Sequence, residues 1–296
     1  MNEVKVGIIG IGNMGSAHLR MITGGNIPDM TVTAVCDINP ERLKAAKAEY
    51  PDIAAFGDYT ELLKSSDTDA VIIAVPHPLH AKIAIEAFEY GKHVLVEKPM
   101  DITVSAAEKL CAAARKSGKV FAVMFNQRTN GLFREARRIV NSGELGELKR
   151  SVWIITNWYR TQSYYDSGSW RATWRGEGGG VLLNQAPHNL DIWQWICGKP
   201  SAVTAFCNVG KFHNIEVEDE ATIYTEYENG ATGVFITSTG DCPGTNRLEI
   251  TGTRGKIVLE NGLLKLWKLK EDEREICKNS VEGFVTPETE YSEFTA

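Results

Sequence analysis

Long apolar runs, blocks of basic charge and paired cysteine motifs are all missing from this 296-residue chain. With no apolar stretch long enough to cross a bilayer, no membrane-spanning helix and no membrane partner are expected. The N-terminus enters a strand within a few residues of Met1, without a charged leader or cleavage site, so the expected location is the cytoplasm. The 32 basic residues are outnumbered by 38 acidic ones, giving a net charge of -6. No run among them suits a phosphate backbone, so nucleic acid is not expected as a partner. Six cysteines (Cys36, Cys111, Cys197, Cys207, Cys242, Cys277) lie scattered without C-x-x-C spacing. Neither a disulfide framework nor a zinc site is expected. Internal repeats and low-complexity tracts are lacking too.

What remains is a chain with the composition of a globular protein, 43% hydrophobic and 24% charged, long enough for two domains. From Val4 to Phe125, apolar strands alternate with amphipathic helices. The strands read as Val4 to Ile9, Thr31 to Cys36, Ile53 to Phe56, Ala70 to Val75, His93 to Val96 and Val120 to Phe125. Near-continuous apolar runs such as 70–75 are what strands covered on both faces require, so residues 1–125 are predicted to form a doubly wound parallel sheet. Beyond Asn126 the strands lengthen, and Asn229-Gly230 and Asn261-Gly262 are two-residue hairpin signals. Residues 126–296 are therefore expected to form a second, α+β domain for substrate binding and oligomerisation, on a largely antiparallel open sheet. The fold class is α/β. The polar stretch from Cys277 to Ala296 has no readable pattern.

The first strand runs into Gly10-Ile11-Gly12-Asn13-Met14-Gly15 and then a helix. In that context Gly10 permits a tight turn, Gly12 lets backbone approach a pyrophosphate, and Gly15 lets helix pack on strand. The helix N-terminus then aims its N-H groups at the phosphates. Asp37 ends the second strand 22 residues past Gly15, where a carboxylate accepts hydrogen bonds from an adenosine ribose. A carboxylate there repels a 2′-phosphate, so NAD is expected over NADP. NADP stays open through Arg42, which either neutralises such a phosphate or is a solvated helix residue.

Two later segments carry polar chemistry. Glu97-Lys98-Pro99 closes an apolar strand. Gly178-Gly179-Gly180 leads to Asn184, His188 and Asp191, whose i, i+4, i+7 spacing is expected to place them on one helix face despite Pro187. A histidine within reach of a hydroxyl is the usual general base; its plainer reading is a hydrogen-bonded structural group.

These three motifs, in this order and spacing, resemble the Gfo/Idh/MocA family of oxidoreductases, which includes glucose-fructose oxidoreductase and inositol 2-dehydrogenase. The resemblance covers nearly the whole chain. It implies a Rossmann domain and a secondary hydroxyl of a sugar or cyclitol as the substrate of an NAD(P)-dependent dehydrogenase. It also implies that Lys98 sits beside the nicotinamide, that Glu97 helps to hold it, and that His188 is the acid or base. Cofactor contacts are implied at Pro76, His80 and Asn126, and from the Trp170-Arg171 pair. Substrate contacts are expected from Arg128 and from Trp158 and Trp174 in the aromatic and arginine-rich stretch after residue 157. His77-x-x-His80 also matches a metal pair, but with no cysteine or acidic ligand nearby no metal is expected.

Two departures stand out. Many relatives carry aspartate where this chain has Asn184, and asparagine cannot take up a proton, so it is expected only to orient His188 or a substrate hydroxyl. Relatives also continue into a helical tail, so the second domain is expected to be C-terminally shortened. The resemblance suggests a homodimer or homotetramer. Two rival readings share the cofactor: a glycosidase-type enzyme with no net redox, and a non-catalytic dinucleotide-binding regulator.

Overall fold

The computed structural model describes residues 3–64 and 67–295, in two compact units. The first comprises Met1–Met124 together with Arg175–Gly178; the second comprises Phe125–Trp174 and Gly179–Ala296.

In the first unit β1 (Val4–Ile9), β2 (Met30–Cys36), β3 (Ala54–Phe56), β4 (Ala70–Ile73), β5 (His93–Val96) and β6 (Phe121–Val123) form one sheet in the order β3-β2-β1-β4-β5-β6. Every pairing is parallel. This is the doubly wound order, whose direction reverses between β1 and β4, where open α/β sheets bind ligands beyond the strand C-termini. Both faces are covered, as the apolar runs demand. On one side Leu19 and Ile22 of α1 (Asn13–Thr23) and Ala46 of α2 (Pro40–Glu49) pack on Val6, Ile8 and Val35. On the other, α3 (Tyr59–Lys64), α4 (His80–Glu89) and α5 (Val104–Ser117) bury Leu62, Ile83 and Leu110 against Ile9, Ile73 and Val96. Local chemistry sets the helix ends. The Asn39 side chain caps α2 by accepting from Glu41 N (2.9 Å), and Gly118, in the left-handed region, ends α5.

The second unit is built on an eight-stranded sheet. Its strands are β7 (Leu148–Ile155), β8 (Ala202–Val209), β9 (Glu218–Glu226), β10 (Thr232–Ser238), β11 (Asn246–Gly252), β12 (Gly255–Glu260), β13 (Leu263–Leu269) and β14 (Thr289–Thr295). They run in the order β14-β13-β12-β11-β7-β10-β9-β8, antiparallel except for β7 with β10. The amphipathic α6 (Gly131–Asn141) and α8 (Pro187–Cys197) contribute Phe133, Ile139, Ile192 and Trp193 to a core with Trp153 and Phe235. Two short helices, α7 (Gln162–Asp166) and α9 (Glu273–Asn279), complete the unit.

Register places Phe206, Tyr224, Val234 and Val152 on the opposite sheet face, followed by Arg247, Glu249, Lys256 and Lys265. Phe206 is 70% exposed, so that face is open. The Asn261-Gly262 turn has both residues at positive φ (52° and 72°), as a type I′ hairpin requires. The Asn229-Gly230 turn is longer than expected: the strands stop at Glu226 and resume at Thr232, with only Gly230 left-handed. No helix among the described residues is long and apolar enough to cross a membrane.

Candidate active site

In the first unit, the glycine turn after β1 fits a dinucleotide. Gly10 sits at φ +88°, and a Cβ on Gly15 would lie 1.8 Å from the Gly10 carbonyl oxygen, so neither position admits a side chain. Gly12 differs: a Cβ there would meet only the Arg42 Nη1, at 3.8 Å. It precedes α1 as an N-cap without a side-chain hydrogen bond, leaving open backbone at a helix N-terminus where phosphate oxygens are favoured. Ile11 is buried, whereas Asn13 and Met14 are exposed on the first turn.

Asp37 is 6% exposed and already organised by backbone. Its Oδ2 accepts from Ile11 N (2.9 Å) and its Oδ1 from Asn39 N (2.8 Å), while the Arg42 Nη1 lies 3.3 Å from Oδ2. The carboxylate is thus tied to the glycine turn, and the half-exposed Arg42 is its most loosely held partner. Two oxygens with about four acceptor positions keep capacity for a ribose hydroxyl.

The Glu97-Lys98-Pro99 turn is held from two sides. Glu97, nearly buried, meets the His18 Nε2 of α1 through Oε1 (2.8 Å) and accepts from Lys98 N through Oε2 (3.2 Å). His18 did not emerge from the sequence; its signal is a histidine three residues after the last fingerprint glycine, on the helix face turned toward the sheet. His80 is fully buried, with Nδ1 2.6 Å from Pro99 O and Nε2 2.8 Å from Val75 O. Burial pushes its imidazole below the ordinary value, against the pull of these two carbonyls. This corrects the expected direct cofactor contact: His80 has no exposed atom and instead ties the turn after β4 to the turn carrying Lys98. The preceding Pro76 is exposed. His77 packs its ring 5.7 Å from that of His80, and its Nδ1 lies 3.2 Å from Glu177 O.

In the second unit, α8 starts at Pro187, so His188 lies in its first turn and Asp191 one turn on. Asn184 lies in the preceding turn, outside the helix, which corrects the expected three-residue face. A proline at the first helical position has a fixed φ and no N-H to give, so the helix starts there and not earlier. The His188 ring stands edge-on to Phe125, with centroids 5.9 Å apart at 90°.

The Tyr164 hydroxyl gathers the polar groups around it. It accepts from Arg171 Nη1 (2.9 Å), Asn184 Nδ2 (3.4 Å) and Gln185 Nε2 (3.5 Å). The Arg171 guanidinium is stacked between the Tyr164 and Trp170 rings, 4.6 and 4.7 Å from their centroids. Trp174 is exposed, with its backbone N-H given to Glu216 (2.7 Å). Trp158 leans on the hydrophobic core with its indole Nε1 buried, a packing role where a substrate contact was expected. Arg128, expected to contact substrate, is held by a neighbouring acid and stays half-exposed. It makes a bidentate pair with Asp191 (2.7 and 2.6 Å) and lies over Trp195, and the carboxylate raises its already high pKa. Asn126, exposed, opens the short 3-10 turn that carries Arg128.

Known proteins resemble the chain over both of its units. Residues 4–125 match the oxidoreductase family with an NAD-binding Rossmann fold, and residues 133–258 match the GFO/IDH/MocA C-terminal domain. The oxidoreductase YrbE of Bacillus subtilis is 30% identical over 266 residues, 88% of this chain and 74% of its own. Levoglucosan dehydrogenase of Pseudarthrobacter phenanthrenivorans is 28% identical over 87% of this chain and 74% of its own. The WlbA dehydrogenase of Chromobacterium violaceum, solved with NADH and UDP-GlcNAcA, superposes with a TM-score of 0.84 at 28% identity, covering 94% of this chain and 81% of that one. The chain therefore belongs to the GFO/IDH/MocA family and is an NAD-binding oxidoreductase.

Proposed function

We propose that this oxidoreductase acts on a secondary hydroxyl of a sugar or cyclitol, with NAD preferred over NADP. The observation that carries the reading is that the chain holds two organised sets, each within its own unit: Asp37 tied to an open glycine turn, and Asn184 joined through Tyr164 to Arg171 ahead of His188. The names of relatives support a polyhydroxyl substrate: levoglucosan, and myo-inositol for a dehydrogenase of Thermotoga maritima that is 24% identical over 87% of this chain and 75% of its own.

Bound NAD would be held by Gly10, Gly12, Gly15 and Asp37 and supplies the hydride acceptor. His188 accepts the hydroxyl proton, its imidazole suited to transfer near neutral pH. Lys98 donates a hydrogen bond to the oxygen as negative charge develops on it, the role of an oxyanion donor. Asn184 orients the hydroxyl or the imidazole without titrating. Trp170 and Arg171 present an aromatic and cationic edge suited to a cofactor or sugar ring. The open face of the eight-stranded sheet, apolar at Phe206 and Tyr224 and mixed in charge around Arg247 and Glu249, supports a homodimer or homotetramer, which light scattering checks.

The test is an absorbance assay for NADH across sugars, inositols, anhydrosugars, sugar acids and nucleotide sugars. Steady NADH accumulation with one polyhydroxyl class is expected. NAD binding with no accumulation on any class, alongside cleavage of a glycoside, would favour a redox-neutral glycosidase. Binding of NAD without any turnover would favour a regulator.

A further inference from the structure

Strand β9 opens with two adjacent acids, Glu218 and Asp219, both buried. Successive strand residues face opposite ways, and the two carboxylates serve different loops. Asp219 gathers the 211–213 turn: Oδ1 accepts from Lys211 N (3.0 Å), and Oδ2 accepts from Phe212 N (2.8 Å) and His213 N (3.0 Å) and lies 3.1 Å from His213 Nδ1. Glu218 takes the loop ahead of α8. Its Oε2 accepts from Gly180 N (2.9 Å), its Oε1 from Leu182 N (3.0 Å), and its own carbonyl from Val181 N (2.8 Å).

Three successive N-H groups thus converge on one residue. The approach needs glycine, because a Cβ at Gly180 would lie 1.8 Å from the Glu218 carbonyl oxygen. The carbonyls of the same peptides then set the following turn. Gly180 O accepts from Leu183 N (3.1 Å) and Asn184 N (2.9 Å), and Val181 O accepts from Ala186 N (2.8 Å). Pro187 and His188 come next in the chain. A buried carboxylate carries a large desolvation cost, here offset by charge-assisted bonds to loop amides.

We infer that Glu218 is a positioning residue: by clamping the 180–182 amides it fixes where Asn184 and His188 stand. The inference rests on the proposed roles of those two residues. In the sequence, no spacing sets Glu218 apart from its acidic neighbours Asp219 and Glu220.

The test compares Glu218→Gln with Asp219→Asn in the full chain. An amide in place of the carboxylate turns a donor toward one of the loop N-H groups. Hydrogen exchange should therefore quicken at residues 180 and 182 in Glu218→Gln and at 211–213 in Asp219→Asn, each leaving the other loop protected. In Glu218→Gln, kcat on the substrate found by the screen should fall about tenfold or more with NAD affinity unchanged, since displacements near 1 Å are costly in catalysis. The NMR titration of His188, assigned with His188→Ala, should shift. Glu218→Asp keeps the charge with a shorter reach and should fall between parent and Glu218→Gln; it replaces Glu218→Gln if that variant does not fold. Quickened exchange at 180 and 182 with parental kcat and an unmoved His188 titration would overturn the inference. If the parent oxidises nothing in the screen, that failure belongs to the proposed function. The His188 titration then decides: a shift supports Glu218 as a positioning residue, and an unmoved titration overturns it.

Discussion

The two glycine turns of this molecule, 10–15 in the first unit and 179–180 at the start of the second unit's last segment, look alike in sequence and are used in opposite ways. In both, one glycine exists because a Cβ would strike a backbone carbonyl, Gly10 O in one case and Glu218 O in the other. At the first turn the surrounding acid, Asp37, takes only Ile11 N of the turn, and Gly12 stays open ahead of α1. At the second, Glu218 takes every N-H from Gly180 to Leu182. Glycine content alone does not distinguish a ligand cradle from a rigid mount; the difference lies in where the N-H groups go.

The sharpest contrast is chemical. Lys98→Met, in the unit of the open turn, should lower turnover by about a hundredfold or more while leaving NAD binding largely intact. His188→Ala, beside the clamped turn, should cost a similar factor and remove the alkaline rise in rate. Steady-state rates on the substrate from the screen, with calorimetric NAD titration, check both. Near-parental rates in both variants would break the assignment of chemistry to these two residues.

A smaller effect is expected at the open turn's acid. Asp37→Ala removes the carboxylate that takes Ile11 N and meets Arg42, so NAD affinity should fall by roughly tenfold or more and the preference over NADP should narrow or reverse. Titration of both cofactors measures it; an unchanged ratio would show that Asp37 does not read the ribose.

Stability should separate the turns too. Gly180→Ala forces a Cβ into backbone and should lower Tm by about 3 °C or more, whereas Gly12→Ala, with space at its Cβ, should move Tm by about 1 °C or less. Thermal melts of both variants test this.

The smallest effect is a pH dependence at His80. Its folded-state pKa is depressed by burial below the ordinary value of 6.5, so the unfolded chain takes up its proton first as pH falls. The stability it contributes is complete above about pH 6.5 and is lost as pH falls through the depressed value. Melting from pH 7.5 to 5 should show a steeper decline in the parent than in His80→Asn.

Much of the first unit was legible because its signals are local. Apolar runs gave β1 and β5 at their observed bounds, and the fingerprint glycines stand where a tight turn and a close helix approach need them. The second unit hid more. Strand β14 is polar and almost wholly exposed, and it exists by pairing along β13, so no alternation marks it. Helix α8 looked longer than it is because helical periodicity cannot show that Pro187 sets its start. His18 and Glu218 matter through partners 36 to 79 residues away, a distance no spacing rule spans, and the Tyr164 hydroxyl joins Arg171 to Asn184, 20 residues on from Tyr164. Trp158 looked like a ligand contact because aromatic residues serve both surfaces and cores; its neighbours decide.

The most direct test of the open-turn assignment is a calorimetric titration of NAD into the parent and Gly12→Ala, with melting temperatures measured alongside. The parent should bind NAD more tightly than NADP, and Gly12→Ala should keep its Tm but lose about tenfold or more in NAD affinity, because its Cβ stands where pyrophosphate approaches backbone. Parental NAD affinity in Gly12→Ala, or no NAD binding by the parent, would contradict the assignment.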